Sequence, residues 1–222
     1  MSTIRRLMLA TAAVAAIAVT VPAQQLQPGW VFTPWIGAYV PTTDFTRFSA
    51  SDDGEVFRGT VRHQRGVALG GNASYWFGER MGVEFGGAYA WSHADIKSDF
   101  ESFDDHAYLM MGTAKMMFAL LPPGEGTQLR LGVGPAVIRR GGTAYEEDEG
   151  EFKGLTNLGG AVSLCTRFAL TDRIALRLRA EDFIYRSRLT FHDDSPGSDP
   201  RFDKKMQNDL VFSAGLQIGI FR

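Results

Sequence analysis

Seven charged residues, Glu84, Lys115, Arg130, Arg167, Arg177, Arg179 and Glu181, interrupt stretches of the chain that are otherwise apolar at every second position. The run Arg177-Leu178-Arg179-Ala180-Glu181 shows the spacing most plainly. In an extended strand, charges at i, i+2 and i+4 share one face while the leucines and alanine take the other. Carboxylates and guanidinium groups so arranged do ion pairing and anion binding. The expected pairs are Glu84 with Lys115 or Arg130, and Glu181 with Arg177 or Arg179. Five cations against two carboxylates leave an excess, and an enclosed unpaired charge costs several kcal/mol. Water, alone or with a small anion, is therefore expected in the same layer.

Nothing points to catalysis. A covalent mechanism needs a nucleophile with a base in reach. The four histidines, His63, His93, His106 and His192, fall in polar loops or at strand ends, and Ser92-His93 and His192 with Ser195 are close only in sequence. The acidic groups Glu146 to Glu151, and Asp193, Asp194, Asp199 and Asp203, lack the spacing of an EF-hand or β-roll calcium site. The expectation is a non-enzymatic protein without cofactor or dedicated metal centre.

The elements that position the charges are strands. Val67, Leu69, Gly71, Ala73, Tyr75 and Phe77 alternate with Ala68, Gly70, Asn72, Ser74 and Trp76, and Val83, Phe85, Gly87, Tyr89 and Trp91 alternate with Glu84, Gly86, Ala88, Ala90 and Ser92. This is the period-two pattern of a strand with one apolar face. The same pattern recurs from about Trp30 to Val40, His106 to Leu120, Gln128 to Val137, Asn157 to Phe168, Ile174 to Glu181 and Leu210 to Ile220, giving about eight strands. Gly78-Glu79-Arg80, Pro122-Pro123-Gly124 and Thr171-Asp172 are tight turns; Thr42 to Arg65, His93 to Asp105, the acidic stretch and Ser187 to Gln207 are long polar loops. Connections thus alternate long and short, as outer loops and periplasmic turns do in transmembrane barrels.

Residues 1–23 read as a secretory signal: Arg5 and Arg6, an apolar run from Leu7 to Val21, then Val21-Pro22-Ala23 before Gln24. The run is short of the roughly 20 residues a spanning helix needs. The leader carries two of the 23 basic residues and none of the 25 acidic ones, so the mature chain is acidic and offers no case for nucleic acid. Cys165 is the only cysteine and can form no internal disulfide. Its expected place is as a small residue packed inside a strand. Residues 24–222 form one domain by length, and the 25 glycines suit strongly curved strands around a narrow lumen.

Charges on one strand face and bulky apolar residues on the other predict an all-β, eight-stranded, antiparallel, up-and-down transmembrane β-barrel in the outer membrane of a Gram-negative bacterium. Eight strands enclose an interior that side chains fill. Each charge above would face this lumen, near the turn end. Trp30, Trp35, Trp76, Phe77, Trp91 and Phe118 fall near strand ends and are expected in aromatic girdles. Asp182 would face lipid under strict alternation, so it lies at a rim or a bulge shifts the phase.

The chain resembles the small outer-membrane barrels that include the OmpA-like transmembrane domain and the OmpW-like proteins. The resemblance rests on Phe32-Thr33-Pro34-Trp35-Ile36-Gly37-Ala38-Tyr39-Val40-Pro41, on Leu131-Gly132-Val133-Gly134-Pro135-Ala136, on Leu176-Arg177-Leu178-Arg179-Ala180-Glu181-Asp182, and on a last strand with an aromatic at its tip. It implies outer-membrane lipid and lipopolysaccharide as surroundings. It also implies the barrel assembly machinery as a partner, with Phe221 as the candidate assembly signal. A structural or surface-interaction role is the leading expectation. The alternatives are a narrow, porin-like channel for small solutes and a soluble, lipocalin-like ligand-binding barrel of opposite polarity.

Overall fold

The computed structural model describes residues 29–52, 55–98, 102–121, 127–147, 150–171, 173–187, 189–193 and 201–220. The expected leader, the turn Pro122-Pro123-Gly124, Asp172, Asp194, Asp199 and Phe221 lie outside the described residues. In chain order the strands are β1 (Gly29–Pro41), β2 (Thr46–Asp52), β3 (Glu55–His63), β4 (Gly66–Trp76), β5 (Met81–Ser98), β6 (Ser102–Ala119), β7 (Thr127–Gly141), β8 (Glu146–Glu147), β9 (Gly150–Lys153), β10 (Thr156–Ala169), β11 (Ile174–Arg186), β12 (Thr190–Asp193), β13 (Arg201–Phe202) and β14 (Met206–Ile220).

Eight of these, β1, β4, β5, β6, β7, β10, β11 and β14, pair antiparallel in that order and close on themselves. The closing seam runs from Trp30 opposite Ile220 to Pro41 opposite Asp209. Closure leaves these strands no free edge, which a lipid environment requires because no water is there to satisfy one. One end of the barrel carries the tight turns; the other carries the long connections and is called here the hairpin end.

Side chains alternate strictly across this wall. Phe32, Ile36, Leu69, Phe85, Val133, Leu164, Phe212, Leu216 and Ile218 are exposed on the outside. Their strand neighbours Thr33, Ala68, Glu84, Gly132, Ser163 and Ser213 face in. An outward apolar band is the reverse of a lipocalin, whose apolar face surrounds its ligand. The arrangement therefore does not fit the soluble ligand-binding barrel.

Two expectations need correction. Thr42 to Arg65 and His93 to Asp105 are not simply loops: β2 pairs with β3, β3 pairs with β5 from Gly59↔Ser98 to His63↔Ala94, and β5 stays paired with β6 out to Lys97↔Ser102. Polar composition marks where the wall leaves the apolar band, whereas backbone pairing is indifferent to it and continues. The acidic stretch likewise contributes the short pair β8–β9, and β12 extends it.

Trp35 and Trp76 are not girdle residues. They share parity with Thr33 and with Asn72 and Ser74, and so lie buried in the lumen, whereas Trp30, Phe77 and Trp91 are exposed on the outside. Glycines make room for the two indoles. A Cβ on Gly70 would stand 2.5 Å from the Trp35 ring, and one on Gly82 would stand 3.0 Å from that of Trp76. Asp182 keeps the alternation without a bulge, opposite Val162 and Leu210, and accepts a hydrogen bond from Asn208 Nδ2 at 3.1 Å near the hairpin end.

Candidate functional site

The lumen is filled in layers, and the expected charge cluster forms the layer nearest the turns. Glu84, Lys115, Arg130, Arg167, Arg177, Arg179 and Glu181 are all buried and face inward. Glu84 is the hub. Its carboxylate accepts from Asn72 Nδ2 at 3.2 Å and Ser74 Oγ at 2.9 Å. It also meets Arg177 Nη1 at 2.5 Å, Lys115 Nζ at 3.3 Å and Arg179 Nη1 at 3.4 Å. Glu181 pairs with Lys115 and, at 3.4 Å, with Arg179 Nη2.

Of the anticipated pairs, Glu84–Lys115 and Glu181–Arg179 form. Arg177 reaches across the lumen to Glu84, 93 residues away in sequence, rather than to Glu181 on its own strand. Arg130 meets no carboxylate among the described residues. Its Nη1 donates to Gln217 Oε1 at 3.2 Å and its Nη2 to Gln128 Oε1 at 2.7 Å, with the guanidinium 4.3 Å from the Trp76 ring centroid. Arg179 is likewise 5.0 Å from the Trp35 ring. Cys165 is buried in the same layer, where its sulfur accepts from Arg177 Nη2 at 3.3 Å.

Above the charges lies an apolar belt that includes Trp35, Ala68, Ala90, Leu109, Met111, Ala136, Ile138, Ala161, Phe183 and Val211, all buried. Above the belt is a second polar layer that sequence reasoning missed. Arg140 is buried between Phe45 and Tyr185, its guanidinium 4.0 Å and 4.9 Å from their ring centroids. Arg140 Nη2 donates to the Tyr185 hydroxyl, which donates to Asp209 Oδ2. The Arg140–Asp209 separation is 4.0 Å.

Beside this clasp, Tyr145 Oη and His63 Nε2 are 2.7 Å apart. Gln207 Nε2 ties down the preceding segment by donating to the carbonyls of Phe45 at 2.8 Å and Asp44 at 3.1 Å. Tyr145 reaches this position through a one-turn 3-10 segment, Thr143–Tyr145, entered by Gly142 at φ +113°, a conformation that favours glycine. His63 stands in β3, beyond the apolar band. Burial, with the nearby Arg140 charge, pushes its imidazole down to about 3. Phe45, His63 and Tyr145 all come from segments that read as surface loops. The available signal was the mixture of Arg140, Tyr185 and Asp209 on inward-facing positions at the hairpin ends of three strands.

The other titratable candidates are not gathered. His93 and His106 face each other across β5 and β6 on the outer surface, with ring centroids 5.6 Å apart. Among the described residues, no three histidine, cysteine or carboxylate side chains are placed to hold a metal ion.

No protein-family model matches the chain, and no curated protein does. Solved structures do. OprG of Pseudomonas aeruginosa, an outer membrane protein, superposes with a TM-score of 0.66 at 13% identity, over 89% of this chain and 99% of that one. The outer membrane protein AlkL, solved in DMPC lipid bilayers, gives 0.58 at 14% identity, over 92% and 95%. Escherichia coli Outer Membrane Protein W gives 0.50 at 13% identity, over 88% and 100%. At such identities the likeness is one of fold: this chain has the architecture of the small outer-membrane β-barrels.

Proposed function

We propose that this chain is a plugged, non-catalytic integral barrel of the bacterial outer membrane, whose working surface is the paired hairpins beyond the apolar band. The observation that carries the reading is the filled lumen. Trp76 and the charge network occupy the turn end, the apolar belt the middle, and Phe45, Arg140 and Tyr185 the hairpin end. A hydrated path for ions has to pass all three. The apolar belt is the least permeable of them, because an ion there loses its water and gains no partner.

In this reading the turn end faces the periplasm, and outer-membrane lipid and lipopolysaccharide surround the band. The barrel assembly machinery inserts the chain after removal of residues 1–23. Loops positioned by a rigid scaffold are where binding residues concentrate, which directs attention to the hairpins for a surface partner.

The test is to refold residues 24–222 into planar lipid bilayers and record single channels. Stable insertion without current steps is expected. Discrete steps, lost when Arg130 and Arg177 are replaced by bulky apolar residues, would overturn the reading in favour of a narrow channel. A folded protein that never inserts would overturn the membrane assignment itself.

A further inference from the structure

The charge layer at the turn end does not balance, and the imbalance has a location. Glu84 and Glu181 between them contact Lys115, Arg177 and Arg179. Arg130 and Arg167 face no carboxylate among the described residues, although Arg130 is 1% and Arg167 8% exposed. These two lie on the neighbouring strands β7 and β10. Arg130 stands opposite Cys165, while Arg167 stands between Gln128 on β7 and Arg177 on β11.

Like charges placed directly opposite on adjacent strands repel, and Arg167 opposite Arg177 is such a pair. Moreover, the Nε–H groups of Arg130, Arg167 and Arg177 are all buried without an acceptor. Gln128 and Gln217 supply carbonyl acceptors to Arg130 but no charge. Water could occupy the Nε–H groups, yet it would leave the Coulomb term unanswered. An anion answers both, and guanidinium forks match the oxygens of a tetrahedral oxyanion.

We infer that Arg130, Arg167 and Arg177, with the amide groups of Gln128 and Gln217 beside them, form a binding site for one oxyanion of the phosphate class at the turn end of the lumen. The ligand is either the free ion or the phosphate of a lipid headgroup. The site shares only the lumen with the function proposed above, and it stands whether or not the hairpins bind a partner.

The experiment uses the refolded mature chain with ¹⁵N-labelled arginine in a neutral, phosphate-free detergent. Inorganic phosphate, sulfate and chloride are each titrated at constant ionic strength. Saturable shifts of the arginine Nε–H resonances are expected with phosphate and sulfate. The thermal midpoint should rise with concentration once the site fills, because a ligand that binds only the folded state stabilises it. Arg167→Met removes a surplus cation and should fold normally while losing at least tenfold in apparent affinity. A second arm replaces the free ion with phosphatidylglycerol in otherwise neutral vesicles; saturation there alone assigns the headgroup as the source. Shifts that follow ionic strength without saturating in both arms, or a saturable response that survives in Arg167→Met, would overturn the site.

Discussion

The lumen holds two buried polar layers that solve the problem of an enclosed guanidinium differently. At the turn end, Glu84 serves three cations at once and Glu181 two, while Arg130 leans on neutral amides and an indole face. At the hairpin end one cation among the described residues, Arg140, lies between two aromatic rings and reaches one carboxylate, Asp209, through the hydroxyl of Tyr185. The first layer is a network with surplus positive charge, the second a balanced clasp. A shared carboxylate makes the network sensitive to loss of an anion and tolerant of losing a cation. The clasp, with one of each, should suffer from either loss.

The largest effect should come from Glu84→Gln. Breaking a buried pair from one side strands the partner charges, which costs about 3–5 kcal/mol, and here three cations depend on the group. Urea unfolding in lipid vesicles is expected to show a loss of that size, with Arg167→Met within about 1 kcal/mol of the wild type. Equal losses from the two substitutions would break the description of the lower layer as cation-rich. Asp209→Asn comes next. It removes the charge but keeps an acceptor for the Tyr185 hydroxyl, so about 1–3 kcal/mol is expected. A loss matching that of Glu84→Gln would erase the difference between shared and private carboxylates.

The two layers also differ in how far the sequence foretells them. All seven charges of the lower layer were legible because each sits at the inward parity of a strand, within reach of a tight turn, and parity is a purely local property. Which cation meets which carboxylate was only half legible. Glu84 and Lys115 are cross-strand neighbours, but Arg177 crosses the lumen, and barrel diameter and tilt decide that contact. The clasp was legible only in part: Arg140, Tyr185 and Asp209 hold inward parity, but nothing local foretells what covers them. Phe45, His63 and Tyr145 belong to polar segments without an apolar period, and the closed barrel alone brings them over Arg140. The same limit explains Trp35 and Trp76: position near a strand end suggested a girdle, whereas parity, the stronger constraint, assigns them to the lumen.

Acidification separates the layers further. His63, beside the clasp, is neutral when folded, since burial and Arg140 disfavour its cation. In the unfolded chain it titrates near 6.5. As pH falls below 6.5 the unfolded state takes up a proton that the folded state refuses, down to about 3. Stability associated with His63 is therefore whole above 6.5 and is lost at up to about 1.4 kcal/mol per pH unit below it. Between pH 7.5 and 5.5 the expected loss is about 1.4 kcal/mol, absent in His63→Gln. A wild-type and variant pair with parallel profiles would show that the clasp admits a charged imidazole. It would then lose its distinction from the charge-bearing layer below.

The smallest effect bears on the aromatic faces, which both layers use. A cation over a ring contributes about 0.5–2 kcal/mol, more when desolvated and without another partner. Arg130 has no carboxylate among the described residues and sits 4.3 Å from Trp76, whereas Arg140 has Asp209 in addition to Phe45 at 4.0 Å. The ring under Arg130 should therefore couple more strongly to its cation than the ring over Arg140, despite the slightly longer distance. Two double-mutant cycles read this directly, one on Trp76→Leu and Arg130→Met, the other on Phe45→Leu and Arg140→Met. A coupling of about 1 kcal/mol is expected in the first and about half of that in the second. The cycle format matters because each single substitution also loses packing, which cancels only in the difference. Should the order reverse, the indole would be mere filling. The unneutralised guanidinium of Arg130 would then depend entirely on its two glutamines and on whatever anion enters from the turn end.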